Sequence, residues 1–340
     1  MVLDVTENGV LAATRLIEMI RGYQLSQALY VAAKLGVADC LRDGPRTSDE
    51  LAQATGTHAP ALYRLLRTLA SRGVFAEITD RRFALTPLGE LLRSDVVSSV
   101  QAELLLWGHP ILWESWGHLT HSVQTGERAF DHLYGMGIWE YLARHPEDRA
   151  SFSAGFAASE QHDQLLSAYD FSSINLIVDI GGGNGRLLSA VLRANPRTHG
   201  VLLDTPGVVS GADEILRAEG VAERCRVIGG DFFAELPSGG DVYILSRVLM
   251  DWDDEHAVRI LRNCRRAVAE QGRVLIVDRI IPPDNAPSLS HLSDLLSLAI
   301  TGGRIRSESE IRQLLDRAQF QLTTVVPTSV GYTVLEGRPA

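Results

Sequence analysis

The stretch from Leu176 to Arg186, LIVDIGGGNGR, concentrates the residue types that can cradle a small polar cofactor. Apolar residues and Asp179 run straight into Gly181, Gly182, Gly183 and Gly185, and LLSAVLRANP continues with helical periodicity, so the segment reads strand, tight turn, helix. A dinucleotide fingerprint G-x-G-x-x-G would need its last glycine where Arg186 stands. The turn therefore suits a cofactor without a pyrophosphate. Asp204 closes GVLLD nineteen positions after Gly185, where a carboxylate can accept both hydroxyls of a ribose. Its competing role is to cap a helix beginning near Pro206.

Groups able to move a proton are fewer. Asp251, His162 beside Asp163, and His291 are the candidates for acid–base work, and His291 shares a helical face with Asp294 in HLSDLLSLAI. The acidic run Asp251, Asp253, Asp254, Glu255 opens a helix, where capping and the helix dipole account for it, so no metal is expected. Between Ser98 and Tyr169 the pattern is helical and aromatic, including Trp107, Trp139, Phe152 and Phe156. Most such rings pack as core, and some should wall a pocket for a flat substrate. Glycines at 126, 135 and 137 break this run and form a candidate flexible rim.

These residues need a scaffold. After Ser172 the chain alternates strands (LIVDI, GVLLD, CRVIGGD, DVYILSR, RVLIVDRII) with helical segments, which predicts an α/β domain with a parallel sheet. FQLTTVVPT and VGYTVLEGRP are too close together for a crossover, so the last two strands must pair antiparallel. Ligands in such sheets sit beyond the carboxyl ends of the strands. Earlier, residues 11 to 42 read as two helices, and residues 47 to 92 as a winged helix-turn-helix with short strands around VFAEI and RFALT. The expected division is residues 1–97, 98–171 and 172–340.

A winged helix raises DNA recognition, but residues 41 to 93 hold eight arginines against six carboxylates, and the whole chain carries a formal charge of −10. A phosphate backbone demands a basic face, so nucleic acid is not expected as a partner. With 45% hydrophobic residues in 340, no membrane-length apolar run, and an acidic start unlike a signal peptide, a cytoplasmic globular enzyme is expected. Cys40, Cys225 and Cys264 form no C-x-x-C pair and fit a reducing compartment. The apolar run from Leu11 to Leu41 predicts a homodimer built from the N-terminal helices.

Taken in order, DIGGGNG, LLDTP, GGDFF, SRVLMDWDDEHAVRIL and TGGRIRSESEIRQLL resemble the S-adenosylmethionine-dependent O-methyltransferase family that acts on phenolic natural products. The resemblance spans nearly the whole chain. It implies a Rossmann-like methyltransferase sheet with a C-terminal antiparallel strand, preceded by a mainly helical winged-helix dimerisation domain. It also implies S-adenosylmethionine as cofactor, held at Gly181 and Gly183, with Asp231 and Phe232 at the adenine, Asp204 at the ribose, Asp179 and Gly181 nearest the methionine portion, and Arg149 at its carboxylate. Ser246, Arg247 and Trp252 complete that set, and Trp107, Phe156, Met250 and Asp294 are the expected substrate contacts.

Two positions depart from the family's usual pattern. Many members place a catalytic histidine where this chain has Met250, and a glutamate where it has Ile305. Methionine has no titratable proton and cannot serve as a base. The chain is similar in this to a branch modifying anthracyclines and related aromatic polyketides, which works by orienting an acidic phenol. That branch also contains relatives that decarboxylate or hydroxylate, so a non-methylating enzyme, a cyclase included, is the alternative to O-methyl transfer, with a ligand-sensing DNA-binding regulator as the second.

Overall fold

The computed structural model describes residues 7–158, 162–284, 286–329 and 331–340. They form two compact units, Met1–Trp113 with Ala154–Ser159, and Glu114–Ser153 with Glu160–Ala340. The aromatic-rich stretch 98–171 is thus shared between the units.

In the first unit the helix Glu7–Lys34 runs unbroken through Gly22, and the chain turns at Gly36, whose φ of 64° suits a residue without a Cβ. Thr47 caps the helix Ser48–Thr55 in a capping box with Glu50, and the helix Ala59–Ala70 follows. Strands β1 (Arg46–Thr47), β2 (Phe75–Glu77) and β3 (Arg82–Leu85) form a small antiparallel sheet, with β3 in the middle. Leu51, Leu66, Leu69, Phe75 and Phe83 make a closed core here. The first helix does not share in it along its early turns: Leu11, Leu16, Ile17, Met19, Ile20 and Tyr23 are each more than 50% exposed.

The second unit is built on seven strands, β4 (Leu176–Ile180), β5 (His199–Asp204), β6 (Cys225–Gly229), β7 (Val242–Ser246), β8 (Arg273–Asp278), β9 (Phe320–Pro327) and β10 (Thr333–Pro339). Their order is β6-β5-β4-β7-β8-β10-β9, with parallel pairing from β6 to β8. The order reverses between β4 and β7, which opens a crevice at their carboxyl ends. Ile177 and Val178 of β4, Val242 to Leu245 of β7 and Val274 to Ile276 of β8 have no exposed surface, as expected of strands covered on both faces. Alternate residues feed two cores. Val178, Tyr243, Leu245 and Ile276 pack against the helices Asp254–Ala267 and Glu308–Arg317, and Ile177, Val242, Ile244 and Leu275 against Arg186–Ala194 and Ala212–Ala218.

The last two strands pair antiparallel, as their short connection requires. The antiparallel strand nevertheless does not end the sheet: β10 is inserted between β8 and β9, antiparallel to both, and β9 takes the edge. Burial explains the placement, since Val334 to Gly337 are buried in succession whereas β9 shows Gln321, Thr323 and Thr324 to solvent. Glu336 is buried on β10 and would be raised by that burial alone. Hydrogen bonds from Tyr169, Arg338, Thr323 and Arg273 outweigh it and hold the carboxyl at about 2.

Candidate cofactor and acceptor site

The turn after β4 depends on glycine at every step. Gly181, Gly183 and Gly185 have φ of 66°, 62° and 84°, in the left-handed region that side chains disfavour. Gly182 is constrained by space instead: a Cβ there would lie 2.5 Å from the Asp179 carboxyl carbon and from Leu202. Asp179 is fully buried behind the turn. The Gly181 N–H donates to Leu203 O at 2.8 Å, so the turn is laid against the end of β5.

Asp204, at that end of β5, accepts from the Gly183 N–H (2.9 Å, Oδ2) and the Thr205 N–H (2.6 Å, Oδ1). The residue capping Pro206–Val209 is Thr205, so the helix-cap role considered for Asp204 does not apply. Burial raises the Asp204 carboxyl above its ordinary value, with the two backbone donors working against the rise. The Arg149 guanidinium stands 2.8 Å from where a Cβ on Gly207 would be, three residues past Asp204. Thus Arg149 reaches the same edge of the sheet.

After β6, the Phe233 N–H donates to Asp231 Oδ1 at 2.8 Å, and Asp231 is exposed. Phe232 lies 3.6 Å from where a Gly181 Cβ would be and packs edge-on to Trp252, centroids 5.9 Å apart. Phe233 and His256 complete this ring cluster. At the end of β7, Ser246 is half-buried, and Arg247 takes a φ of 56° while its N–H donates to Val277 O at 2.9 Å. A non-glycine residue held there costs about 1–3 kcal/mol and persists only where its surroundings impose it. Val248 follows, and one of its methyls stands 2.9 Å from the Gly181 Cβ position.

Val248 leads into the turn Leu249–Asp251, which carries Met250 and Asp251. This turn is gripped by Arg306, a side chain 1% exposed. Arg306 Nη1 donates to Leu249 O (2.8 Å), Nη2 donates to Trp252 O (2.8 Å), and Nε and Nη2 both reach Asp254 Oδ1 (2.9 and 2.8 Å). Gly303 lies directly on the Met250 carbonyl, leaving no room for a Cβ. Asp294 Oδ1 accepts from the Ile305 N–H at 2.8 Å, so Asp294 braces the 303–306 segment. Ile305 itself is buried at 2% exposure. His291 is half-buried on the same helix, Leu289–Ile300.

Asp251 is the group best poised to exchange a proton. Burial pushes its carboxyl up to about 7, opposed by the charge of Arg247. Beside it Asp278, 3% exposed at the end of β8, is raised well above the ordinary carboxylate range by burial and by the neighbouring Asp251, with Arg306, Arg247 and a hydrogen bond from the Met250 backbone opposing. Asp278 Oδ1 has no hydrogen-bond partner among the described residues. Sequence reasoning missed Asp278. The signal was present, since RVLIVD ends in aspartate as GVLLD does, at the carboxyl edge where this sheet collects its polar groups.

Trp107 and Phe156 lie in the first unit, packed edge to face at 6.3 Å, with Trp107 Nε1 donating to Glu103. His162 begins the helix His162–Ala168, and its side chain lies outside the described ones. In the acidic run Asp253 caps the helix Asp254–Ala267 and Asp254 holds Arg306. Among the described residues no group of His, Cys, Asp and Glu could hold a metal ion. A hollow of about 470 Å³ lined by Leu166, Tyr169, Phe171 and Asn195 sits at the far end of the helix Arg186–Ala194 from the glycine turn.

Residues 116–321 match the O-methyltransferase domain family and residues 17–95 the O-methyltransferase dimerisation domain. The chain is 44% identical over 327 residues to phenazine O-methyltransferase PhzM of Lysobacter antibioticus, covering 95% of each chain. It is similar to the crystal structure of LaPhzM (TM-score 0.92, 42% identity, 97% of this chain and 99% of that one). It also matches NcsB1, an O-methyltransferase from neocarzinostatin biosynthesis solved with S-adenosyl-L-homocysteine and 1,4-dihydroxy-2-naphthoic acid (TM-score 0.81, 34% identity, 93% and 96%).

The two kinds of glycine constraint are separable. Gly182→Ala should lower stability by roughly 2 kcal/mol through overlap with Asp179 and Leu202, and Gly183→Ala, with open space at its Cβ position, by about 1 kcal/mol from its φ alone. Urea denaturation measures both. Equal losses would show that the contact with Asp179 is not what fixes Gly182.

Proposed function

The chain belongs to the O-methyltransferase family, and on that footing we propose that it carries the methyl group of S-adenosylmethionine to a hydroxyl of a polycyclic or otherwise aromatic natural product. The observation that carries the proposal is the contact of Val248 with the Gly181 position. It sets the glycine turn against the segment that leads into the turn bearing Met250 and Asp251. The decarboxylating, hydroxylating, cyclising and DNA-binding alternatives find no support in the relatives.

The residues fit the cofactor. Three left-handed glycines keep side chains out of the turn, Asp204 offers a desolvated carboxylate for the ribose hydroxyls, and Phe232 gives a ring for the adenine while Asp231 accepts from its amino group. Arg149 takes the carboxylate end, and Asp179 and Ser246 stand on the methionine side. When bound, the cofactor supplies a methyl group on a cationic sulfur. Buried carboxylates around that position offset the desolvation of the positive charge.

On the acceptor side Met250 contributes shape and no proton transfer. Asp251 in its ionised form takes the proton of the acceptor hydroxyl at its carboxylate oxygen, and Asp278 remains protonated beneath it, so that the pair carries one negative charge. His291, half-buried on the helix Leu289–Ile300, is the second group that could act on the acceptor hydroxyl, through water. Alignment of the reacting atoms supplies the larger share of the rate, since well-oriented groups reach effective concentrations of about 10⁵ M and above. The helix Glu7–Lys34, with its exposed apolar residues, joins a second copy of the chain into a homodimer, and the enzyme works in the cytoplasm. No described helix is long and apolar enough to cross a membrane.

Three outcomes are expected. With methyl-labelled cofactor and an aromatic hydroxylated acceptor, mass spectrometry should find one labelled methyl on the product together with S-adenosylhomocysteine; product formed with the cofactor recovered intact would sink the proposal. The rate at saturating substrates should rise with pH through about 7 as Asp251 ionises, and Asp251→Asn should remove that limb and lower the rate by about 100-fold. A pH profile unchanged in the variant would clear Asp251 of the role. Light scattering at micromolar concentration should give twice the chain mass, and Ile17→Glu combined with Ile20→Glu should give monomers.

A further inference from the structure

The segment assigned above to the adenine, Asp231 to Ala234, belongs to no helix or strand. Something else must hold Phe232 in place. The helix Asp254–Ala267 does so from below, by gripping three successive carbonyl groups. Asn263 Nδ2 donates to Phe232 O and to Ala234 O, each at 2.9 Å, and Arg259 Nη2 donates to the intervening Phe233 O at 3.0 Å. The Arg259 guanidinium also lies over the Phe233 ring, 5.2 Å from its centroid. Asn263 Oδ1 in turn accepts from Arg266.

We infer that Asn263, assisted by Arg259, is a positioning residue for the adenine end of the cofactor, an inference that rests on the assignment of this segment to the adenine. Asn263 is 3% exposed, on a helix face otherwise made of Ile260, Leu261, Cys264 and Ala267. An apolar residue would pack there equally well. A buried amide in that setting costs desolvation unless each of its polar atoms finds a partner, and here both partners of its N–H groups lie in the one segment. Nothing local signals this role, because RNCRRA reads as an ordinary amphipathic turn.

The geometry sets the direction of two functional groups. With the Phe232 carbonyl fixed, its ring is held between Trp252 and Gly181. With the Ala234 carbonyl fixed, the turn closed by the Ala234 N–H on Asp231 O (2.9 Å) and by the Phe233 N–H on Asp231 Oδ1 holds the carboxylate toward the same side. Release of the carbonyls would let the ring and the carboxylate drift without disturbing the glycine turn, Asp204 or the 249–252 turn. The loss should therefore appear in cofactor affinity and not in the chemical step.

The test uses the full-length enzyme with three variants. Asn263→Asp keeps the size and removes both donors, Arg259→Ala removes an exposed partner, and Phe232→Ala tests the adenine assignment itself. Calorimetry with S-adenosylhomocysteine should show Kd raised about tenfold in Asn263→Asp and about threefold in Arg259→Ala. KM for S-adenosylmethionine should rise by the same factors, with kcat at saturating cofactor and KM for the acceptor within about twofold of the wild type. Unchanged Kd in both variants, or a fall in kcat with cofactor affinity intact, overturns the inference. If Asn263→Asp does not fold, Arg259→Ala decides by itself. If Phe232→Ala weakens binding while the other two do not, this inference alone fails; if Phe232→Ala leaves Kd unchanged, the adenine assignment fails with it.

Discussion

The guanidinium of Arg306 is the interaction on which the acceptor side of this enzyme depends. It is a fully buried charge, and its desolvation is offset by two backbone carbonyls and the Asp254 carboxylate, which together use the planar fork of donors that arginine provides and lysine does not. Those two carbonyls belong to Leu249 and Trp252, at either end of the turn that carries Met250 and Asp251. The turn closes on itself through the Asp251 N–H on Val248 O (3.2 Å) and the Trp252 N–H on Leu249 O (3.3 Å), and the clamp ties it to the segment around Arg306. Gly303 against Met250 and Asp294 against Ile305 complete the brace, each from the segment that brings Arg306 in.

The same logic recurs around the crevice. Functional groups stand on loops at the carboxyl edge of the sheet, and each loop is fastened by a side chain from a regular element: the glycine turn by Asp204 of β5, the 231–234 segment by Asn263 of a helix, the 249–252 turn by Arg306. Rigid elements set the positions and loops present the chemistry. Four aspartates, 179, 204, 251 and 278, gather at this edge with their charges partly or wholly withdrawn from water. Such an arrangement lowers stability in the free protein and is suited to a ligand that brings a positive charge.

Under the proposed function, Met250 and Ile305 in place of a histidine and a glutamate shift the rate toward orientation. A positioned general base contributes about 10²–10⁴-fold, whereas orientation of two bound reactants contributes more. An enzyme that keeps the second term can lose most of the first when its acceptor is an acidic phenol. In the proposed mechanism the Asp251 carboxyl, brought to about 7 by desolvation, would retain part of the first.

Much of this was legible in the sequence. Alternation of short apolar runs with helical segments, the glycines after LIVDI, and a connection too short for a crossover determined the α/β class and the antiparallel end, because each is a local property of a few residues. Asp204 was legible for the same reason, as an acid at a strand end a fixed distance from a glycine turn. What only the tertiary structure decided are the relations between segments far apart in the chain. That β10 lies inside β9 follows from burial on both faces, that Gly182 is fixed by Asp179 and not by its own backbone follows from packing, and that Arg306 grips a turn some fifty residues earlier follows from the path of the chain between them. The pairing of Asp251 with Asp278 is of this kind too. Their burial together, Asp278 at the end of β8 and Asp251 in the turn that follows β7, shifts both carboxyl groups toward the protonated state.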